Sequence, residues 1–320
     1  SVATGRDKRL FYPLGNSHDY QSNGNHGRLY IKWAFRMKIS QKFQLNQSLT
    51  LKRLGVNQAT TRTRWNHRES LLGYAKHNIK HIGLWRDKVL ELEVKDTKTL
   101  LNNHGMKVTC LNRIGPVFSS DGEADATFLE DAKRGIDEAV ALNAESLMYF
   151  PGTSLPNNKN LDFARQLAKD YLDKALELAR SANVKIVIEP LHPMIAGDRS
   201  CLNTIAQCND ICDDLGGGLG IVVDVYHVWW DPMLKAEIFR AGAARLAGFH
   251  INDWLVPTTD LFSGRGMMGD GVIELRKIRG WMEKAGYRGS VEIEIFSELW
   301  WQKNPDDVIK LAIDRALQFA

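Results

Sequence analysis

From Leu54 onward the chain alternates between two hydrophobic rhythms. Short runs rich in β-branched and aromatic residues read LGVNQAT, HIGLW, KVTCLNR, SLMYF, KIVIEP, GIVVDVY, LAGFHIN and SVEIEIF. Between them lie longer segments in which apolar residues recur every three or four positions. Examples are DAKRGIDEAVALNA, LDFARQLAKDYLDKALELARSA, CLNTIAQCNDICDDLG and IELRKIRGWMEKAG, and DVIKLAIDRALQFA follows the eighth run. The first rhythm predicts strands and the second predicts amphipathic helices. Gly or Asn near the helix ends, in HGMKV, ANVKI and AGYRG, fits C-terminal caps that turn the chain into the next strand. Eight such units predict an α/β fold, a single (β/α)8 TIM barrel over residues 54–320. A doubly wound open sheet is the alternative. It would normally carry a Gly-rich phosphate turn after the first strand, and LGVNQATTR is not one.

The beginning of the chain lacks either rhythm. Residues 1–45 are polar, rich in Asn, Gly and Ser, and predict an irregular, flexible basic extension, with Met37 an alternative start of translation. Charge follows the same division. Ten Lys/Arg against Asp7 and Asp19 give the first 53 residues a balance of +8, so the net +4 of the whole leaves −4 for the remainder. The basic character therefore belongs to the extension, and no nucleic-acid partner is expected of the body. Cys110, Cys201, Cys208 and Cys212 show no CxxC spacing, and the last three fall on what reads as one helix. Reduced, buried thiols in a cytoplasmic protein are expected. No apolar run approaches eighteen residues and no signal core is evident, so no membrane association is expected.

Four of the strand-like runs end on residues that can bind a metal: Glu189, Asp224, His250 and Glu294. The gaps of 35, 26 and 44 residues each span about one strand–helix unit. If the strands are consecutive and parallel, all four side chains emerge at the C-terminal end of the barrel, where barrel active sites form. Taken singly, a strand-end carboxylate often caps the next helix, and a lone histidine is usually structural. Four at one level in successive units point to a shared site. Three carboxylates and an imidazole suit one divalent cation that prefers oxygen ligands. Manganese(II) is the expected ion, with Mg²⁺, Co²⁺ and Zn²⁺ compatible.

At these residues the chain resembles the xylose-isomerase-like superfamily of sugar phosphate isomerases and epimerases. The resemblance spans Leu54 to Phe319 and rests on IEP with Glu189, DVYH with Asp224 and His227, FHINDW with His250 and Asp253, GDG at Gly269–Gly271, and AGYRGSVEIEIF with Glu294. It implies that Glu189, Asp224, His250 and Glu294 are the metal ligands, and that Glu189 and Glu294 also exchange protons with substrate carbons. Glu292 competes with Glu294, since alternation puts both on one face; the spacing from Gly289 matches the family ligand at Glu294. The implied activity is isomerisation or epimerisation of a carbohydrate. An ion chelating a carbonyl and the adjacent hydroxyl would acidify the intervening C–H through an enediolate, and paired carboxylates would move the proton.

Further candidates for substrate contact are His192, His227, Asp253 and Arg265, beyond the ligand strands, and Arg86 and Arg113, which end the second and third strands. The two arginines could hold a substrate phosphate or carboxylate, or pair with loop acids. Trp85, Trp229, Trp230, Trp254, Trp300 and Trp301 fall at the same rim and suit loop packing, a subunit interface in a homo-oligomer, or stacking on a sugar, for which Trp230 is a candidate. The endonuclease IV branch needs extra histidines where Trp85 and Arg113 stand, so a nuclease is not expected. A lyase on the same scaffold, of the inosose dehydratase or 3-oxo-glycoside-cleaving type, shares the first proton abstraction and is the alternative; the tryptophan-rich rim would favour its bulky leaving group. A non-catalytic sugar-binding protein would be expected to lack a ligand, and none is missing.

Overall fold

The computed structural model describes residues 48–118, 125–153 and 159–320. The expected extension over 1–45 lies outside the described residues. Eight parallel strands close into a barrel: β1 (Leu54–Asn57), β2 (His81–Trp85), β3 (Lys107–Ile114), β4 (Leu147–Tyr149), β5 (Ile186–Ile188), β6 (Leu219–Asp224), β7 (Leu246–Ile251) and β10 (Val291–Ile293). Between the last two, β8 (Asp253–Trp254) and β9 (Arg265–Gly266) form a small antiparallel ribbon. Consecutive barrel strands pair, and β1 closes the ring on β10 with Leu54 opposite Val291. Helices follow the barrel strands in turn: His67–Lys76, Val94–Asn103, Phe128–Leu142, Leu161–Ser181, Ile205–Leu215, Leu234–Arg245, Leu275–Lys284 and Pro305–Phe319. The expected (β/α)8 barrel is the observed fold.

Local chemistry sets these boundaries. Asn66 with Glu69, and Thr204 with Gln207, form reciprocal capping boxes at two helix N-termini. Gly105 (φ +59°), Asn183 (φ +54°) and Gly286 (φ +103°) turn the chain out of three helices in the left-handed region, at the three positions the sequence marked. One detail differs from expectation. Thr204 starts its helix, so Cys201 stays in the preceding loop and only Cys208 and Cys212 are helical. All four thiols are free and buried.

Period-two alternation divides the strand residues between two environments. Ile186 and Ile188 of β5, and Ile221 and Val223 of β6, join the main core under the helices. Val187 and Val222, with Cys110 and Met148, form a separate cluster that we read as the barrel interior. Two residues further along from each inner position stand Glu189, Asp224, Asn112 and Phe150. The alternation that packs the inner cluster therefore also aims these four side chains inward at the C-terminal end.

At the β1–β2–β10 side the interior is polar and tightly fitted. Asn57 Nδ2 donates to Glu292 Oε1 at 2.9 Å, and both residues are buried. Gly83 leaves the room for this pair: a methyl group there would overlap Glu292 Oε1 and Asn57 Nδ2. Gly83→Ala should therefore lower the unfolding free energy by about 1–3 kcal/mol for a disrupted buried hydrogen bond, and the denaturant midpoint with it. This runs against the usual gain from replacing glycine where the backbone permits. Equilibrium unfolding checks it, and an unchanged or raised midpoint would contradict the fit.

Candidate active site

Glu189, Asp224, His250 and Glu294 each offer one ligand atom, and these atoms all lie within 4.8 Å of one another. Glu189 and Glu294 stand one residue past β5 and β10, Asp224 ends β6, and His250 is the penultimate residue of β7. Parallel register converts the long sequence gaps into adjacency, with Asp224 directly opposite His250 and Ile293 opposite Ile251. His250 Nδ1 is 3.4 Å from both Glu189 Oε1 and Glu294 Oε2. Neither His250 Nδ1 nor Glu189 Oε1, both buried, has a hydrogen-bond partner among the described residues. Orphaned donor atoms facing one small space would be costly without a shared partner. Three carboxylates and one imidazole are a donor set that fits a divalent cation.

Neighbouring groups hold this set in place. Asp224 Oδ1 accepts from the Tyr226 amide and from Asn252 Nδ2, each at 2.9 Å, while Oδ2 accepts from Arg265 Nη1 at 2.7 Å. The strand-end carboxylate thus also caps the short turn that follows it. Asn252 donates to the Glu294 carbonyl as well, at 3.1 Å, so it braces the ends of β6 and β10. Arg265 Nη1 reaches Glu294 Oε2 at 3.0 Å, and its Nη2 lies 3.1 Å from His227 Nε2. The His192 amide donates to His227 Nδ1 at 3.1 Å, so both ring nitrogens of His227 face N–H donors.

Glu292 occupies a different level from Glu294. Its carboxylate accepts from Asn57 Nδ2 and, at 2.5 Å, from Thr109 Oγ1, and lies 3.7 Å from His250 Nε2. His250 therefore has one carboxylate beside Nε2 and two beside Nδ1, an arrangement that orients a metal-facing imidazole from behind. Glu294 joins the four-residue cluster; Glu292 supports it.

The charges shift as this crowding requires. Burial, followed by repulsion from Glu294 and Asp224, drives Glu189 up to about 7 despite attraction by His250. Burial alone would lower His250, but Glu294 and Glu189 outweigh it and hold the imidazole well above its ordinary value. Asp224 is the reverse case: burial opposes its charge, and Arg265 overrides burial to hold it well below the carboxylate range. Burial brings His227 down to about 3, so it is neutral at physiological pH.

A cavity of about 250 Å³ opens onto the cluster. Glu189, Glu294, His227 and Arg265 line it, as do Asn112 and Phe150 from the inner positions of β3 and just past β4. Arg113 lines it too. Other expected contacts sit elsewhere. The Asp253 carboxylate accepts the amides of Gly269, Gly271 and Ile273 and so organises the loop that returns through Arg265. The His192 ring stacks on Trp254 with centroids 4.8 Å apart, and Trp230 Nε1 donates to the His227 carbonyl at 2.8 Å. Both residues flank the cavity behind His227 rather than lining it. Arg86 is engaged by Glu138 and Asp131 at 2.6 and 2.9 Å. Of the six rim tryptophans Trp85 alone lines the cavity; Trp229 packs on Trp254, and Trp301 Nε1 donates to the Ala59 carbonyl. Sequence reasoning passed over Arg62, Arg199, Phe150 and Phe296, all cavity residues. Phe150 was accessible through its spacing from Met148, whereas Arg62 and Arg199 lie in loops without periodicity.

The pKa pattern fixes the sign of a pH effect. Glu189 and His250 both hold protons below about pH 7 in the metal-free protein, and ligation requires their removal. Mn²⁺ affinity should rise as pH increases from 6 to 8, with protons released on binding. Calorimetry in two buffers of different ionisation enthalpy measures both; pH-independent binding without proton release would contradict the assignment.

Comparison with known proteins places this geometry in context. A protein of Sinorhizobium meliloti 1021 is 41% identical and superposes with a TM-score of 0.82, over 85% of this chain and 99% of its own. An inosose isomerase of Halalkalibacterium halodurans is 23% identical over 278 residues, which cover 83% of this chain and 95% of the relative. A zinc-bound IolI protein shares the fold, with a TM-score of 0.73 at 19% identity over 84% of this chain and 99% of that one. The family model described as xylose isomerase-like TIM barrel matches residues 74–317, which take in all four clustered strand-end residues, so the chain belongs to that family.

Proposed function

We propose that the protein is a divalent-metal-dependent isomerase or epimerase of a sugar or sugar derivative, working by proton abstraction beside a carbonyl. One observation carries this reading. Of the four clustered residues, Glu189 and Glu294 line the cavity, while Asp224 and His250 do not. The two carboxylates that can reach a substrate are thus the two suited to carry its proton, and the other pair is left to anchor. The similarity to an inosose isomerase agrees with this class of chemistry.

A divalent ion held by the four side chains would polarise a substrate carbonyl and its neighbouring hydroxyl. The remaining work falls to the protein. Glu189 and Glu294, the two members of the cluster that line the cavity, are placed to take and return the proton. Arg265 neutralises Glu294 and Asp224 and offers N–H groups toward negative charge that develops on substrate oxygens. His227, neutral beside Arg265, lines the cavity where a substrate hydroxyl would sit. Proton return to the opposite face of the same carbon gives an epimer; delivery to the neighbouring carbon gives the aldose–ketose isomer. The lyase alternative drew support from the tryptophan rim, of which Trp85 alone lines the cavity while Trp229, Trp254 and Trp301 pack on one another or on a loop carbonyl.

Incubating the Mn²⁺-loaded protein with ketoses and inososes in D₂O tests the reading. Deuterium should enter the carbon beside the carbonyl without loss of a leaving group, and Glu189→Gln or Glu294→Gln should slow exchange by about 10²–10⁴-fold. Release of water or an aglycone would turn the assignment to a lyase. Full exchange in Glu294→Gln, with loss in Glu292→Gln, would show the wrong glutamate was chosen.

A further inference from the structure

The outer part of the cavity is lined by three arginines, Arg62, Arg113 and Arg199. Each lies over an aromatic ring that also lines it: Arg113 over Phe150 at 3.8 Å, Arg199 over Phe262 at 4.6 Å, and Arg62 over Trp85 at 5.0 Å. Stacking fixes the plane of a guanidinium while leaving its edge N–H groups free to donate. Arg62 is paired with Asp87. Arg113 and Arg199 have no carboxylate partner among the described residues. Among the described residues the Arg113 side chain makes one long hydrogen bond, Nη1 to the Gly115 carbonyl at 3.5 Å.

This differs from how the chain treats its other part-buried arginines. Arg86 is held by Asp131 and Glu138, Arg265 by Asp224 and Glu294, and Arg53 by Glu283. Arg113 is also part-buried, yet it forms no ion pair with a described residue: burial first, then the charge of Arg199, lower it to about 10, with Asp87 and Asp131 only partly opposing them. Three guanidinium groups around one cavity, only one of them in an ion pair among the described residues, leave positive charge that an incoming anion would meet.

We propose that Arg113 and Arg199, assisted by Arg62, form a subsite for an anionic substituent on the substrate, either a carboxylate or a phosphate, remote from the reacting carbons. The inference rests on the isomerase reading for the sugar itself and adds its charge class: a sugar acid or sugar phosphate of single-ring size, as a cavity of about 250 Å³ allows. Paired N–H groups of a guanidinium match either oxyanion in bidentate fashion. The inosose isomerase relative acts, by its name, on an uncharged ring, so a preference for an anionic sugar would set this protein apart from it.

Binding to the Mn²⁺-loaded protein, followed by tryptophan fluorescence and calorimetry, tests the subsite with glucose, glucuronate and glucose 6-phosphate. At least one anionic sugar should bind about tenfold or more tighter than glucose, the tighter of the two identifying carboxylate or phosphate. The preference should weaken with added salt, collapse in Arg113→Met and Arg199→Met, and partly return in Arg113→Lys. Arg199 is exposed, so its variant is expected to keep the fold even where Arg113→Met does not. Equal affinity for charged and uncharged sugars, or a preference that survives both methionine variants, would overturn the proposal. Deuterium exchange separates it from the parent reading: exchange with uncharged sugars as efficient as with charged ones rejects the subsite alone, and no exchange with any sugar rejects the isomerase.

Discussion

Four carboxylates, Glu189, Asp224, Glu292 and Glu294, lie buried or nearly so at one end of the barrel, with Arg265 and His250 as the cationic groups among them. Packing so much like charge into a low-dielectric interior would be prohibitive without specific compensation. Most local features of the site are answers to that constraint. Arg265 spans Asp224 and Glu294, Asn57 and Thr109 hold Glu292, and Asn252 ties Asp224 to the backbone at Glu294. A divalent cation held by the four ligands would complete the balance, in keeping with the orphaned Glu189 Oε1 and His250 Nδ1.

The constraint also explains the division of labour among the histidines. His250 sits among three carboxylates and is driven toward the charged form when no metal competes for it. His227, only three residues beyond Asp224, is buried next to Arg265 and stays neutral. The same residue type is therefore drawn toward the charged form in one place and kept neutral in the other, set by neighbours rather than by strand position.

The barrel and the clustering of Glu189, Asp224, His250 and Glu294 were legible in the sequence because both follow from periodicity. Alternation along β5 and β6 carries Val187 to Glu189 and Val222 to Asp224, and parallel register does the rest. Periodicity also put Glu292 and Glu294 on one face but could not say which stood at the metal level; the hydrogen bonds of Glu292 to Asn57 and Thr109 depend on strands β1 and β3, over 180 residues away. Loop side chains were the least legible. Arg86 and Arg113 looked equivalent at adjacent strand ends, yet Arg86 meets the acids of helix Phe128–Leu142 while Arg113 turns to Phe150. His192, Asp253 and Trp230 carried the right chemistry for substrate contact, and tertiary packing commits them to stacking, to loop amides and to a carbonyl. Nothing local to those residues encodes the partner each one meets.

The central claim is that the four strand-end residues hold one divalent ion. Anomalous diffraction from crystals grown with Mn²⁺ tests it most directly. The account predicts a single strong peak within about 2.0–2.6 Å of one donor atom from each of Glu189, Asp224, His250 and Glu294, with Glu292 outside the coordination sphere. A peak ligated by Glu292 in place of Glu294, or Mn²⁺ bound elsewhere with this cluster empty at saturating metal, would contradict it.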